Sequence, residues 1–291
     1  MSLLRPQQLE HLQAELTPLF GPHQLIPARH INQRNDTWLL RSERGDAVVK
    51  LYRWLSGDAV TGIIEAEERA RCAGLPVPAV LYRSARWPLI AYAYVHGVHQ
   101  IPSDPGLINI CAELFVRQLG ALRGFRPTWT PIRPDRLPRR AQEAINDWSD
   151  KRLCEAISES WQQLSRLACD QPEVASHIDW RADNILCLDG QVVAVLDWED
   201  VVLLPSAEAV GYGAGSLTHS WREALYRPLA LPAVMWFLEA AGSRLAWAPG
   251  SPGAAHARLA AFFTCAVRLA EDQQRGAATI SYDDLRASLG G

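Results

Sequence analysis

Apolar and polar positions change rhythm about a third of the way along the chain. From about Leu25 to Val95 the apolar runs are short, rich in β-branched and aromatic residues and bounded by turn formers, which predicts strands. From about Leu107 onward apolar residues recur at three- and four-residue intervals, which predicts helices apart from one short β patch. Ahead of the strands, MSLLRPQQLEHLQAELTPLF spaces its leucines among Glu10, Glu15 and three glutamines, reading as an amphipathic helix rather than an unbroken signal-peptide core. Asp36 to Ser42 and Ala47 to Arg53 flank the turn-like Glu43-Arg44-Gly45-Asp46 and predict a hairpin. Thr61 to Ala73 has helical spacing and is closed by Gly74, after which Leu75-Pro76-Val77-Pro78 bars continuation. Leu89 to Val95 is an apolar run of strand length ending at His96-Gly97.

The second region starts with a predicted helix over Ile108 to Leu122, then Pro127 to Pro138, too rich in proline for regular structure. Ala141 to Ala168 is helical again, and Ser176 to Trp198 interrupts that pattern with two short apolar runs, Asn184 to Leu188 and Val192 to Asp197, around Asp189-Gly190. Ala207 to Leu289 is a series of helices without internal repeat. The change of rhythm predicts two unequal lobes, residues 1–95 and 96–291, joined by a connector at about 92–98.

Composition narrows the function classes. Of 291 residues 48% are hydrophobic and 21% charged, which excludes a disordered chain. Twenty-nine basic against 32 acidic side chains give a net charge of −3, so no basic field invites nucleic acid or an anionic membrane. The longest apolar stretches, Leu229 to Leu238 and Leu259 to Val267, fall short of the roughly 18 residues a membrane span requires. A soluble, cytoplasmic protein is expected. The six cysteines are scattered, with no CxxC and no histidine pair at ligand spacing, and read as buried small hydrophobes in a reducing compartment rather than a zinc site or disulfide framework. Only Lys50 and Lys151 are lysines in a chain that otherwise draws its positive charge from arginine.

Polar residues cluster at the ends of the second hairpin: His177, Asp179, Asn184 and Asp197. Singly they read as turn and strand-end residues. Together they supply what phosphoryl transfer to a hydroxyl requires, a carboxylate to orient and deprotonate the acceptor and an amide and a second carboxylate as oxygen ligands for Mg²⁺. H-x-D-x-x-x-x-N followed by a hairpin and an Asp is the pattern of kinase catalytic and metal-binding loops. Here the chain resembles the aminoglycoside phosphotransferase and choline kinase-like family of small-molecule kinases. His177 to Leu186 (HIDWRADNIL) is similar to that family's HGDxxxxNxL loop, and Val193 to Asp200 (VAVLDWED) to its metal-binding strand end, with Asp197-Trp198-Glu199 standing where protein kinases have DFG. Lys50, in Val48-Val49-Lys50-Leu51, matches the strand lysine that meets the ATP phosphates. Leu75 to Val80 and the connector Tyr92 to Gly97 resemble the corresponding family segments.

The resemblance runs from about residue 25 to 210 and implies an α+β, protein-kinase-like two-lobe fold: a small antiparallel sheet with a helix in the nucleotide-binding lobe, and a larger, mainly helical lobe carrying the catalytic loop 177–184 and the 197–199 triplet. It implies an ATP- and Mg²⁺-dependent phosphotransferase acting on a hydroxyl of a small molecule. Asp179 is then the base or orienter, His177 a hydrogen-bonding brace of the loop, Asn184 and Asp197 the metal ligands, and Lys50 the phosphate contact. A carboxylate of the helix after the first hairpin holds the lysine; of Glu65, Glu67 and Glu68, Glu65 is preferred. The backbone at Ala93 and Val95 meets the adenine edge, and Asn35 matches an asparagine common in the family's phosphate-covering turn. Trp180 and Trp198 read as packing residues.

Three departures stand out. The turn Ile31 to Asp36 has no glycine, Ile178 replaces the family's usual Gly, and Leu204 to Glu208 stands where the family generally has GDPxxD, leaving Glu208 as a shifted or replaced brace. The competing readings are a protein Ser/Thr kinase, disfavoured because no long activation segment and no APE motif follow Asp197, and a nucleotide-binding pseudokinase, disfavoured because all four key residues are present.

Overall fold

The structure, a computed structural model, describes residues 6–28, 35–99, 104–129, 141–142, 146, 150–168, 172–217, 227–274 and 280–290. Most of the proline-rich run Pro127 to Pro138, the glycine-free turn up to Arg34 and Cys169 lie outside the described residues. The chain forms two compact units, Met1–Glu65 with Pro78–His96, and Ala66–Val77 with Gly97–Gly291.

In the first unit α1 (Pro6–Phe20) leads into β1 (His23–Pro27), β2 (Asn35–Ser42) and β3 (Ala47–Tyr52); β4 (Val80–Arg83) and β5 (Leu89–Ala93) follow helix α2 (Gly57–Cys72). They make one antiparallel sheet in the order β1-β2-β3-β5-β4. Successive side chains point to opposite faces, and in the central strands β3 and β5 both faces are largely buried. Ala47, Val49 and Leu51 of β3 join Trp38, Leu40, Leu89 and Ala91 in a core that Leu12, Leu16 and Phe20 of α1 cover. The leucine spacing of the N-terminal segment therefore serves to seal one face of this sheet. Val48, Lys50 and Tyr52 alternate onto the opposite face.

Helix α2 starts four residues before the predicted Thr61 and ends where Gly74 predicts. Gly74 adopts φ +80°, its N–H bonds to Arg71 O at 2.9 Å, and the Leu75 N–H reaches Ala70 O at 3.0 Å, the paired bonds of a Schellman cap. The division between units falls inside this continuous helix. No change in hydrophobic rhythm marks it, because one helical period runs through both halves.

The second unit contains β6 (Val98–His99), α3 (Pro105–Ala121), α4 (Lys151–Ala168), β7 (Glu173–His177), β8 (Ile185–Leu188), β9 (Gln191–Val195), β10 (Val201–Pro205), α5 (Ser206–Ser216), α6 (Arg227–Arg244), α7 (Pro252–Gln274) and α8 (Tyr282–Leu289). The single β patch expected from sequence is two small sheets, β10-β7 and β6-β8-β9. Strands this short read poorly as a pattern when their partners are distant in the chain. Glycines let α5 lie close to its neighbours: a Cβ at Gly211 would sit 2.3 Å from Ala257 O, one at Gly215 2.6 Å from Thr264, and one at Gly213 2.3 Å from the Phe115 ring. Cys111, Cys187 and Cys265 are buried as expected, but Cys72, at the end of α2, is exposed. Among the described residues no helix is long and apolar enough to cross a membrane.

Candidate active site

The β8–β9 hairpin turns through Asp189 at φ 50° and Gly190 at φ 74°. Positive φ at both central residues matches the right-handed twist of the strands and sets Leu188 opposite Gln191; after a register shift between Leu186 and Cys187 the ladder ends with Ile185 opposite Val195. Beyond that pair the Leu196 N–H donates to Asn184 O at 2.8 Å, so Asn184 and Asp197 leave the hairpin at the same end. The other ends of the two loops are tied as well, since β7 pairs with β10 and His177 stands opposite Val201. The loop 178–184 runs from β7 to β8 and the loop 196–200 from β9 to β10. Two ladders thus pin both loops at both ends.

Within the first loop, residues 182–184 form one 3₁₀ turn and Asn184 is buried. Asn184 Nδ2 donates to Asp179 O at 2.9 Å and to Asp179 Oδ2 at 3.0 Å. Both partners are acceptors only, so the amide has one permissible orientation, and Oδ1 of Asn184 is the atom left to serve as a ligand. Arg181 Nε lies 3.3 Å from the same Asp179 Oδ2. Asp197 adopts the left-handed conformation, φ 63° and ψ 50°. That region costs a non-glycine residue about 1–2 kcal/mol, and residues held there concentrate at functional sites.

His177 is fully enclosed. Its ring stacks on Trp198 at 5.3 Å and 31° and lies 6.4 Å from Trp180. The ring supports the loop in part by this packing, beside the hydrogen-bonding role expected from the sequence. Burial lowers its pKa to about 4, against the opposing pull of Asp179 and Asp197, so it is neutral at pH 7. Trp180 and Trp198 do pack, as expected, and each indole N–H also ties down backbone: Trp180 Nε1 to His177 O and Trp198 Nε1 to Val195 O, both at 3.0 Å. A third indole, Trp129, donates to Glu199 O at 3.0 Å.

Gln118 of α3 is a supporting residue that sequence reasoning missed. It is fully buried, and its Nε2 donates to His177 O at 2.8 Å and to Ser176 Oγ at 3.0 Å. A signal existed: Cys111, Phe115, Gln118 and Leu122 share the apolar stripe of the helix, and a polar residue there demands a partner. Phe115 reinforces the contact edge-on to Trp180 at 5.5 Å. Glu208, the expected replacement brace, is instead buried on α5 with its Oε2 3.7 Å from His256 Nε2 of α7, and beside Tyr212, whose hydroxyl burial and Glu208 push well above its ordinary pKa.

In the first unit Lys50 is 7% exposed and lies opposite Thr37 of β2 and Ile90 of β5. Its Nζ is 5.0 Å from the centre of the Tyr52 ring, and Tyr52 Oη meets Tyr92 Oη at 3.0 Å. Asn35 is the first residue of β2, buried and opposite Tyr52, so alternation puts it on the same sheet face as Lys50. It belongs to the strand rather than to an open turn. On α2, Glu65 and Glu68 are exposed and Glu67 is buried, while Glu68 pairs with Arg71 at 2.5 Å. Ala93 ends β5 with its N–H donating to Ala79 O at 2.8 Å, and Val95 lies in the connector beyond.

An amide oxygen and a carboxylate are hard donors suited to Mg²⁺, which keeps few protein ligands and fills its shell with water and phosphate oxygens. Asn184 and Asp197 fit that demand. Among the described residues no cluster of three or more His, Cys, Asp or Glu offers an all-protein metal cage.

A family model described as phosphotransferase enzyme family matches residues 27–247. A search of curated proteins finds no match. Solved structures similar to this chain include amicoumacin kinase hAmiN in complex with AMP-PNP, Ca²⁺ and Ami, at 13% identity and TM-score 0.65 over 98% of this chain and 91% of that one. Macrolide 2'-phosphotransferase MphH from Brachybacterium faecium has 18% identity and TM-score 0.58, covering 98% of each chain. A thermostable mutant of aminoglycoside phosphotransferase APH(4)-Ia with ADP and hygromycin B has 17% identity and TM-score 0.55 over 96% of this chain and 95% of that one. At these identities the likeness establishes a shared kinase-like fold. The family match extends over most of the chain and includes both pinned loops, and on it the protein is a member of the phosphotransferase enzyme family.

Proposed function

We propose that this chain transfers the γ-phosphoryl group of ATP to a hydroxyl of a small molecule, with Mg²⁺ as the metal. The observation that carries the reading is the orientation of Asn184, whose amide hydrogens are both spent on Asp179, so that one interaction presents an oxygen ligand and steadies the acceptor-side carboxylate. Asp179 orients the acceptor hydroxyl and receives its proton. Asn184 and Asp197 hold the metal, and the charge neutralisation a divalent ion supplies at the phosphates is what phosphoryl transfer asks of it. Lys50 neutralises phosphate charge from the sheet face it shares with Asn35. Buried His177, neutral at working pH, keeps the loop in place without adding charge beside the reacting groups.

The lysine's carboxylate partner comes from α2. Glu65 belongs to the same compact unit as Lys50, whereas Glu67 is the buried acid. Paired measurements on Glu65→Gln and Glu67→Gln separate them, the true partner being the one whose loss raises KM for ATP.

A small acceptor rather than a protein is supported by the chain after Asp197. β10 begins at Val201 and pairs with β7, and α5 begins at Ser206, which leaves no peptide-length platform. An ATP-consuming enzyme of this kind belongs in the cytoplasm. The acceptor carries at most one or two positive charges, because residues 201–291 balance seven acids with seven arginines, whereas a polycation needs an excess of carboxylates to replace its water.

Coupled ADP release against a panel of amino alcohols, sugars and antibiotics tests the reading. Acceptor-dependent ADP release that falls by at least about 10²-fold in Asp179→Asn, with ATP affinity within a few fold of wild type, is the expected result. Tight ATP binding without turnover of any acceptor points instead to a nucleotide-binding pseudokinase.

A further inference from the structure

We propose that Gln118 is a positioning residue for phosphoryl transfer: from α3 it fixes the peptide unit joining His177 to Ile178, and through that unit it sets Asp179 against the loop that carries Asp197. The inference rests on the phosphotransferase reading above and deepens it. Strand geometry creates the need for such a residue. Just past the end of β7 the Ile178 N–H points toward β10 and reaches Asp200 O at 3.5 Å. The His177 C=O belongs to the same planar unit and points the opposite way. In the two-stranded sheet β10-β7 no strand lies on that side among the described residues, and His177 is fully buried. A buried carbonyl turned away from its ladder demands a donor from elsewhere.

Three donors reach His177 O: Gln118 Nε2 at 2.8 Å, Trp180 Nε1 at 3.0 Å and, at a longer 3.4 Å, Ser176 Oγ. Trp180 and Ser176 lie within three residues of His177 and move with it. Gln118 is 59 residues away on a 17-residue helix, so of the three it alone refers the peptide to a body outside the loop. Its amide has a fixed setting, because the second hydrogen of the fully buried Nε2 goes to Ser176 Oγ at 3.0 Å and rotation would lose both bonds. The peptide unit is thus held at its carbonyl from α3 and at its N–H by the loop 196–200, and bonds at the two ends of one amide strengthen each other. Asp179 follows Ile178 directly, and Asp200 closes the turn that Asp197 opens. A small tilt of this unit therefore moves the acceptor-side carboxylate relative to Asp197, and reacting groups displaced by about 1 Å lose rate steeply.

The test uses the full-length chain, with an acceptor found by the ADP-release screen. Gln118→Met keeps the length of the side chain but has no N–H, and is expected to lower kcat about 10- to 100-fold with KM for ATP within about threefold of wild type. Amide hydrogen exchange, read by NMR, is expected to be at least about tenfold faster at Ile178 in the variant while the amides of β7 keep their wild-type rates. Wild-type kcat in Gln118→Met overturns the proposal, as does a rise in KM for ATP that accounts for the whole defect. Faster exchange spread evenly over β7 also overturns it, since that marks a merely structural residue. If Gln118→Met does not fold, wild type decides: an Ile178 amide protected as well as β7 supports the proposal, and one that exchanges like an open loop amide overturns it. Wild-type protein that turns over no acceptor defeats the phosphotransferase reading instead, and the exchange rates then decide by themselves whether Gln118 fixes the peptide.

Discussion

Two hairpins carry the key polar residues of this protein, and they carry them in opposite ways. In β2–β3 the residues stand within the strands: Asn35 and Lys50 face one side of the sheet while Val49 and Leu51 face the core beneath α1. In β8–β9 the strands are apolar, and Asp179, Asn184 and Asp197 lie outside them in loops pinned by two ladders. A strand residue inherits its direction from alternation, and its neighbours enforce that direction cheaply. A loop residue has its direction only from whatever ties the loop down, here Gln118, three indole N–H groups and the packed ring of His177. The loops that hold Asp179, Asn184 and Asp197 therefore keep their relation through these ties rather than through alternation.

The contrast sharpens with Asp197→Ala. It is expected to abolish the Mg²⁺ dependence of nucleotide binding together with about 10²- to 10³-fold of turnover, measured by calorimetric titration of ATP with and without Mg²⁺ and by ADP release. Retention of the wild-type Mg²⁺ effect would remove Asp197 from the metal site. Lys50→Arg should cost at least about tenfold in turnover with little change in stability, because strand alternation keeps the residue in place while a planar fork cannot substitute for a compact ammonium among phosphate oxygens. Full activity in that variant breaks the comparison, making Lys50 merely a sheet residue.

The pinned loops also have a signature in acid. His177 holds a pKa of about 4 against an ordinary 6.5, so between these values the unfolded chain binds a proton that the native chain does not. Stability therefore rises with pH across that window, and acidification from pH 7 to 4.5 removes on the order of 2–3 kcal/mol through this group. In His177→Phe that part of the acid loss should disappear, as read by urea unfolding at the two pH values. An equally steep loss in the variant would show that other groups drive it. The smallest expected effect lies in the first hairpin, where Gly45 has φ 121° in the β2–β3 turn. Gly45→Ala is expected to lower stability by about 1–2 kcal/mol with kcat unchanged, measured by thermal unfolding beside the ADP-release assay.

The identity of the chemistry was legible because its spacing is local. Asp179 and Asn184 lie five residues apart around one turn, and Asp189-Gly190 announces the hairpin that returns the chain to Asp197. The strand that holds Lys50 was legible from its apolar run, and the end of α2 from Gly74. The supports were not legible, since Gln118 and Ser176 are 58 residues apart and Trp129 and Glu199 are 70 apart. That His177 packs against Trp198 was likewise hidden, because a sequence gives the residue but not the ring it meets.

By itself the sequence determined the element types, the turn chemistry and the family's loop motif, all of which follow from short-range sterics and from periodicity. Tertiary structure alone decided that α2 divides between two compact units, that Glu208 lies beside His256, and that the loops 178–184 and 196–200 are both closed at both ends. The physical reason is that local geometry depends on a few neighbouring residues, whereas burial and ladder pairing depend on which distant segments compete for the same surface. That competition is settled only when the whole core is packed.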